Sequence, residues 1–151
     1  MSQYSHPSFV TRAMALAIDF VLLAAMHLFM FFLLAGKVIY SVNYFDPLSF
    51  LSLYSFYLVV FIVSFIFLHM AYFTLFHAWA GQTIGKMLMG IKVITADNKR
   101  ASPGVAFLRW TGYIISFLPF AAGFLWSAVD RDHCAWHDSL SQTKVVLAEM
   151  T

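Results

Sequence analysis

Three apolar stretches, Ala13–Ala35, Leu48–Phe76 and Trp110–Val129, dominate this chain, and each is about the 20 residues a helix needs to cross roughly 30 Å of hydrocarbon. A core helix of a soluble domain has no need of such lengths. Composition agrees: 62% of residues are hydrophobic, 19% aromatic and only 11% charged, against roughly 25% charge in an average soluble domain. The mean hydropathy is +0.79. The first run is expected to be a retained span and not a cleaved leader. It exceeds the roughly 7–15 apolar residues of a signal peptide, contains Asp19 and lacks a clear small-x-small exit.

Charge placement predicts the orientation. Lys86, Lys92, Lys99, Arg100 and Arg109 crowd the segment between the second and third runs, and the positive-inside rule puts such a segment in the cytoplasm. The first connection, Gly36–Pro47, holds only Lys37 and Asp46, as a short outer loop would. The N-terminus, with Arg12, is then cytoplasmic, and the expected location is the inner membrane, multi-pass.

Asp19 is the sharpest chemical feature. A carboxylate inside a span costs roughly 2.5–3.5 kcal/mol on insertion scales and so faces a protein interior with a cation or a hydrogen-bond donor beside it. Arg12 precedes it by seven residues, two helical turns and therefore the same face.

The third run is interrupted by Pro119 and Gly123, and a mid-span proline removes a backbone hydrogen bond and bends the helix. Two β-prone runs flank it, Ile91–Thr95 and Thr143–Leu147. If they pair, both ends of the third run lie on one side of the membrane and Trp110–Val129 is a re-entrant hairpin, each arm about a dozen residues and roughly 18 Å long. If they do not, it is a kinked crossing. The expected fold is thus an all-α membrane protein with two full spans, a third apolar segment of one of these two kinds, and a small cytoplasmic β element.

Gly81-Gln82-Thr83-Ile84-Gly85-Lys86 is not a phosphate-binding loop, which needs four residues between its glycines followed by Lys and Ser/Thr. Gly81 and Gly85 instead have the small-xxx-small spacing that lets helices approach closely. Lys86 beside Met87, Leu88 and Met89 fits a segment lying on the cytoplasmic surface. Ala96-Asp97-Asn98-Lys99 reads as a turn.

Further on, His133, Cys134 and His137 place nitrogen and sulfur donors near one another. The plainer reading is a polar segment leaving the membrane, so no metal and no other cofactor is expected. Asp138 is better suited to pair with Arg12 or Arg109, or to cap a helix. A single cysteine excludes an internal disulfide. Among histidines within the runs, His27 lies about two turns beyond Asp19, a position that could continue a proton path. His69 and His77, with Tyr72 and Phe76 nearby, read as interfacial anchors, and Trp79 and Trp110 fit the same aromatic belt. There is no His-Glu-x-x-His, no Gly-x-Ser-x-Gly and no dinucleotide fingerprint, so an enzyme is not expected, and neither is a nucleic-acid partner.

Taken in order, Arg12 and Asp19, Gly81–Met87 running into Gly90-Ile91-Lys92-Val93, Arg109, and His137-Asp138 followed by Thr143–Val146 resemble the RDD family of small, mostly bacterial membrane proteins, named for one arginine and two aspartates. The resemblance covers nearly all of residues 1–151, which would then be a single RDD-like domain. It implies that Arg12, Asp19 and Asp138 are the defining triplet. It also implies transport, with cation/proton exchange reported for some members and accessory-subunit roles for others.

Residue chemistry leads independently to proton or monovalent-cation translocation. Buried carboxylates that gain and lose a proton beside an arginine are the usual elements of a relay. Asp19 and Asp138 would be the exchanging sites, with Arg12 and Arg109 holding them ionised. Three apolar segments hardly enclose a path alone, so transport predicts a homo-oligomer in the lipid bilayer. Two alternatives compete: an ion-pair network that only locks helix packing, and a non-catalytic subunit that binds and regulates another membrane protein.

Overall fold

The computed structural model describes residues 7–39, 47–130 and 134–148. In chain order these form α1 (Phe9–Ile39), α2 (Pro47–Trp79), α3 (Ile84–Leu88), β1 (Ile91–Thr95), α4 (Pro103–Phe117), α5 (Ala122–Val129), α6 (Trp136–Leu140) and β2 (Thr143–Leu147). Among the described residues, two helices are long and apolar enough to span a membrane, Phe9–Gly36 and Leu48–Trp79. Both run a few residues past the apolar stretches. Most of the first connecting loop, with Asp46, lies outside the described residues.

Two compact units make up the fold. One consists of residues 21–69, the second part of α1 and most of α2. Its large apolar side chains mostly point outward, among them Phe29, Phe32, Leu33, Phe56 and Phe67. That arrangement would be ruinous in water and suits hydrocarbon. Within this unit His27 is buried against Phe61 and Phe65, at ring-centroid distances of 4.5 and 5.4 Å. His69 Nδ1 meets the Phe65 carbonyl at 2.9 Å.

The other unit takes in residues 1–20 and 70–151. Here β1 and β2 pair antiparallel in the register Ile91↔Leu147, Val93↔Val145 and Thr95↔Thr143, the two β-prone runs with the boundaries the sequence gives. Asn98 has φ 60° in the turn after β1, a conformation that asparagine tolerates. Ile91, Val93 and Val145 form a small apolar core with Ala15 of α1.

Between the strands the chain runs out through α4 and back through α5. Pro103 at the first turn and Ser102 as N-cap, whose Oγ accepts from the Val105 amide at 3.3 Å, start α4. The two helices are bent by 97° relative to one another. At the break, after Pro119, Phe120 and Ala121 take left-handed φ of 52° and 61°. Gly123 makes the close return possible, because a Cβ there would sit 2.6 Å from the Ser116 Cα. Phe120 is 99% exposed at the tip.

Candidate functional site

Several buried polar groups of the second unit meet one of two carboxylates, Asp138 and Asp19. Asp138 is the third residue of α6, and its Oδ2 accepts from the Ala135 amide at 3.0 Å, capping the helix as a carboxylate at this position can. The same oxygen faces Arg12 Nη1 at 3.3 Å, while Oδ1 lies 2.5 Å from Arg109 Nη2. Arg109, wholly enclosed, also donates to the Thr143 hydroxyl and lies with its guanidinium 5.9 Å from the Tyr113 ring centre. Thr143 is held by Ser141 at 2.7 Å. Arg12 Nη2 is 3.5 Å from the Val145 carbonyl, tying α1 to β2.

Electrostatics keep Asp138 ionised at neutral pH. Burial alone would raise its carboxyl, yet Arg109, the neighbouring His137, the Ala135 amide and Arg12 outweigh burial and hold the group at about 2. His137, 3.6 Å from the same carboxylate, goes the other way. Burial outweighs the attraction of Asp138 and lowers its imidazole to about 3, so it is neutral at pH 7 and packs against both the Tyr113 and Phe124 rings. Gly112 admits it, since a Cβ there would lie 2.8 Å from the His137 Cβ.

Asp19 has different company. Its Oδ1 accepts from the Tyr72 hydroxyl at 2.7 Å and the Gly85 amide at 2.7 Å, and its Oδ2 from the Thr83 hydroxyl at 2.5 Å. Thr83 is also the N-cap of α3, accepting from the Lys86 amide, so α3 starts on the carboxylate. Gly85 is required for this contact: a Cβ would come within 2.1 Å of the Ala15 carbonyl oxygen. The small-xxx-small spacing thus marks a real close approach at Gly85, whereas Gly81 serves a turn, with φ +68°.

The expected Arg12–Asp19 partnership is not what forms. Seven residues put the two on one helix face but also roughly 10 Å apart along the axis, and each finds partners elsewhere. Lys86, read from sequence as a surface residue, is buried, with Nζ 2.7 Å from His77 Nε2 and 3.4 Å from the Tyr113 hydroxyl. His77, read as an interfacial anchor, faces this interior instead, and the Tyr72 hydroxyl reaches Asp19, while Trp79 is exposed. The sequence did carry a signal for Lys86, a lone cation among Ile84, Met87, Leu88 and Met89, the same signal that singles out Asp19. His133 lies outside the described residues, and among the described residues no cluster of His, Cys, Asp or Glu could hold a metal ion.

The sequence profile of the RDD family matches residues 6–142. The chain belongs to the RDD family. With two long apolar helices, that makes it a multi-pass integral membrane protein in contact with the lipid bilayer. It is similar to the uncharacterized protein YxaI of Bacillus subtilis (strain 168), 34% identical over 64 residues, which are 42% of this chain and 42% of that protein. The match spans less than half the length of this relative. No solved structure matches.

Proposed function

We propose that this RDD-family protein is a cation/proton exchanger of the inner membrane in which Asp19 is the exchanging carboxylate and Asp138 a fixed structural anion. One observation carries the reading. Asp19 is 0% exposed, yet its oxygens are met by two hydroxyls and an amide, with no salt bridge among the described residues. Neutral donors stabilise a carboxylate without a counter-charge fixed at its side, so an added proton or monovalent cation is not displaced by a guanidinium. Asp138, clamped by two arginines, has no such freedom.

The bend between α4 and α5 and the pairing of β1 with β2 support a re-entrant hairpin with both ends cytoplasmic. Half-buried Lys92 and exposed Lys99 and Arg100 favour that side by the positive-inside rule. Two spans and a hairpin do not enclose a path, so the working unit is a homo-oligomer.

The test is ion-driven proton flux in proteoliposomes holding only this protein, for wild type and for Asp19→Asn reconstituted at equal folded density. Flux driven by sodium, lithium or potassium and abolished in the variant supports exchange. A folded wild type without flux makes the network structural. The self-contained Arg12–Asp138–Arg109 clamp favours a second reading in that case, a regulatory subunit, which stoichiometric co-purification with another membrane protein would then identify.

A further inference from the structure

The centre around Lys86 has an odd number of cations. Arg12 and Asp19 come from α1, Arg109 from α4 and Asp138 from α6, two guanidiniums against two carboxylates. Those four balance, and arginine does not deprotonate in proteins. The other titratable groups facing Lys86 are His77 of α2, Tyr113 of α4 and His137 of α6, and His137 is neutral at pH 7 for the reasons given above. A charged Lys86 would therefore leave one uncompensated positive charge in an enclosed space, which is costly.

The lysine is nonetheless built into place. His77 Nδ1 lies 2.7 Å from the Phe73 carbonyl. A carbonyl can only accept, so the hydrogen is assigned to Nδ1 and Nε2 is left as a bare acceptor pointing at Lys86 Nζ. Both side chains are enclosed, His77 at 0% exposure and Lys86 at 6%. An amine keeps an N–H to donate to Nε2 whether it is neutral or protonated, so this contact survives both states.

We infer that Lys86 and His77 form a proton-binding site: a neutral amine hydrogen-bonded to a neutral imidazole, which takes up one proton on Lys86 Nζ and gives it back without breaking the Nζ–Nε2 contact. The uptake balances simply, an amine and a proton becoming an ammonium, while His77 keeps its Nδ1 hydrogen throughout. Burial, followed by the charge of Arg109, also moves the lysine in this direction, well below its ordinary range. The site concerns proton binding alone and holds whether or not the protein moves cations through Asp19, so a failed flux assay does not touch it.

The experiment is NMR titration of the full-length protein in nanodiscs carrying isotope-labelled lysine and histidine, from mildly acidic to strongly basic pH. One lysine is expected to titrate well below the usual value of about 10.4. Its signal should vanish in Lys86→Arg. Should that variant not fold, the signal should persist when Lys37, Lys92, Lys99 and Lys144 are each replaced by arginine. In the wild type, the ring nitrogens of His77 should shift at the same pH while retaining the Nδ1-protonated pattern. All lysines titrating in the ordinary range would overturn the site, and so would a low-titrating lysine whose transition leaves His77 unmoved.

Discussion

Arg109 Nη2 lies 2.5 Å from Asp138 Oδ1, with both side chains about 1% exposed, and this pair joins the helix that follows β1 to the helix that precedes β2. Removing one partner of an enclosed ion pair strands the other, at about 3–5 kcal/mol. Arg109→Ala is therefore expected to unfold at much lower denaturant or temperature in detergent. Asp138 keeps Arg12 at 3.3 Å and the Ala135 amide at 3.0 Å, both on Oδ2, but Oδ1 loses its guanidinium. An unchanged unfolding midpoint would remove the pair from the fold's foundations.

Acidification should weaken this half of the molecule in two steps. His137 titrates at about 3 when folded against about 6.5 in an unfolded chain. The unfolded state thus binds the extra proton first, and stability falls as pH drops from about 6.5 toward about 3. Asp138, lowered to about 2, adds a second loss as pH falls from about 3.9 through about 2. Thermal unfolding of His137→Gln across this range is expected to flatten the upper slope and leave the lower one. A wild-type stability that does not change between neutral pH and pH about 4 would contradict the burial of His137.

Much of this half was legible before the structure. The strands β1 and β2 fall at the expected boundaries because β-branched residues bounded by turn residues mark half-buried strands, and Pro119 marks the break because it cannot continue a helix. Asp138 was expected to pair with Arg12 or Arg109 or to cap a helix, and it does all three. The partners of Asp19 were not legible. Tyr72 and Thr83 lie more than fifty residues away in sequence and are ordinary polar residues where they stand. The burial of Lys86 is not legible because a lysine beside Met87, Leu88 and Met89 has the same pattern as a segment on the membrane surface.

Gly85→Ala is expected to destabilise by about 1–3 kcal/mol or more, the range for overpacking, since the new Cβ would lie 2.1 Å from the Ala15 backbone oxygen. Moving α3 away also withdraws the Gly85 amide from Asp19. Gly36→Ala is the control, with nothing within 4 Å of its Cβ position. Equal stability of the two variants would show that α3 does not rest on α1.

Tyr72→Phe and Thr83→Val each delete one neutral donor to Asp19. A hydrogen bond to a charged group is worth about 1.5–3 kcal/mol, so each substitution should lower stability by that order. Thr83→Val should cost more, because it also uncaps α3. If exchange runs through Asp19, each should also lower ion-driven flux at equal folded density, because each removes a contact that positions the carboxylate. Flux profiles that coincide with wild type, in variants whose stability has fallen, would leave Asp19 with a packing role only.

The bend between α4 and α5 makes a topological prediction. With Cys134 replaced by serine, single cysteines at Asp97, in the turn after β1, and at Gln142, just before β2, should react with a membrane-impermeant thiol reagent from the same side. The Ala96 amide already donates to the Gln142 carbonyl at 2.9 Å, so the two positions cannot be parted by a bilayer without breaking the sheet. A cysteine at Phe120, 99% exposed at the tip, should react poorly from either side, because an outward aromatic on a re-entrant hairpin lies in lipid. Reaction of Asp97 and Gln142 from opposite faces would make the third apolar segment a crossing. Ready reaction of the Phe120 position from the cytoplasmic side would place the hairpin outside the bilayer, and its apolar surface would then need a protein partner to cover it.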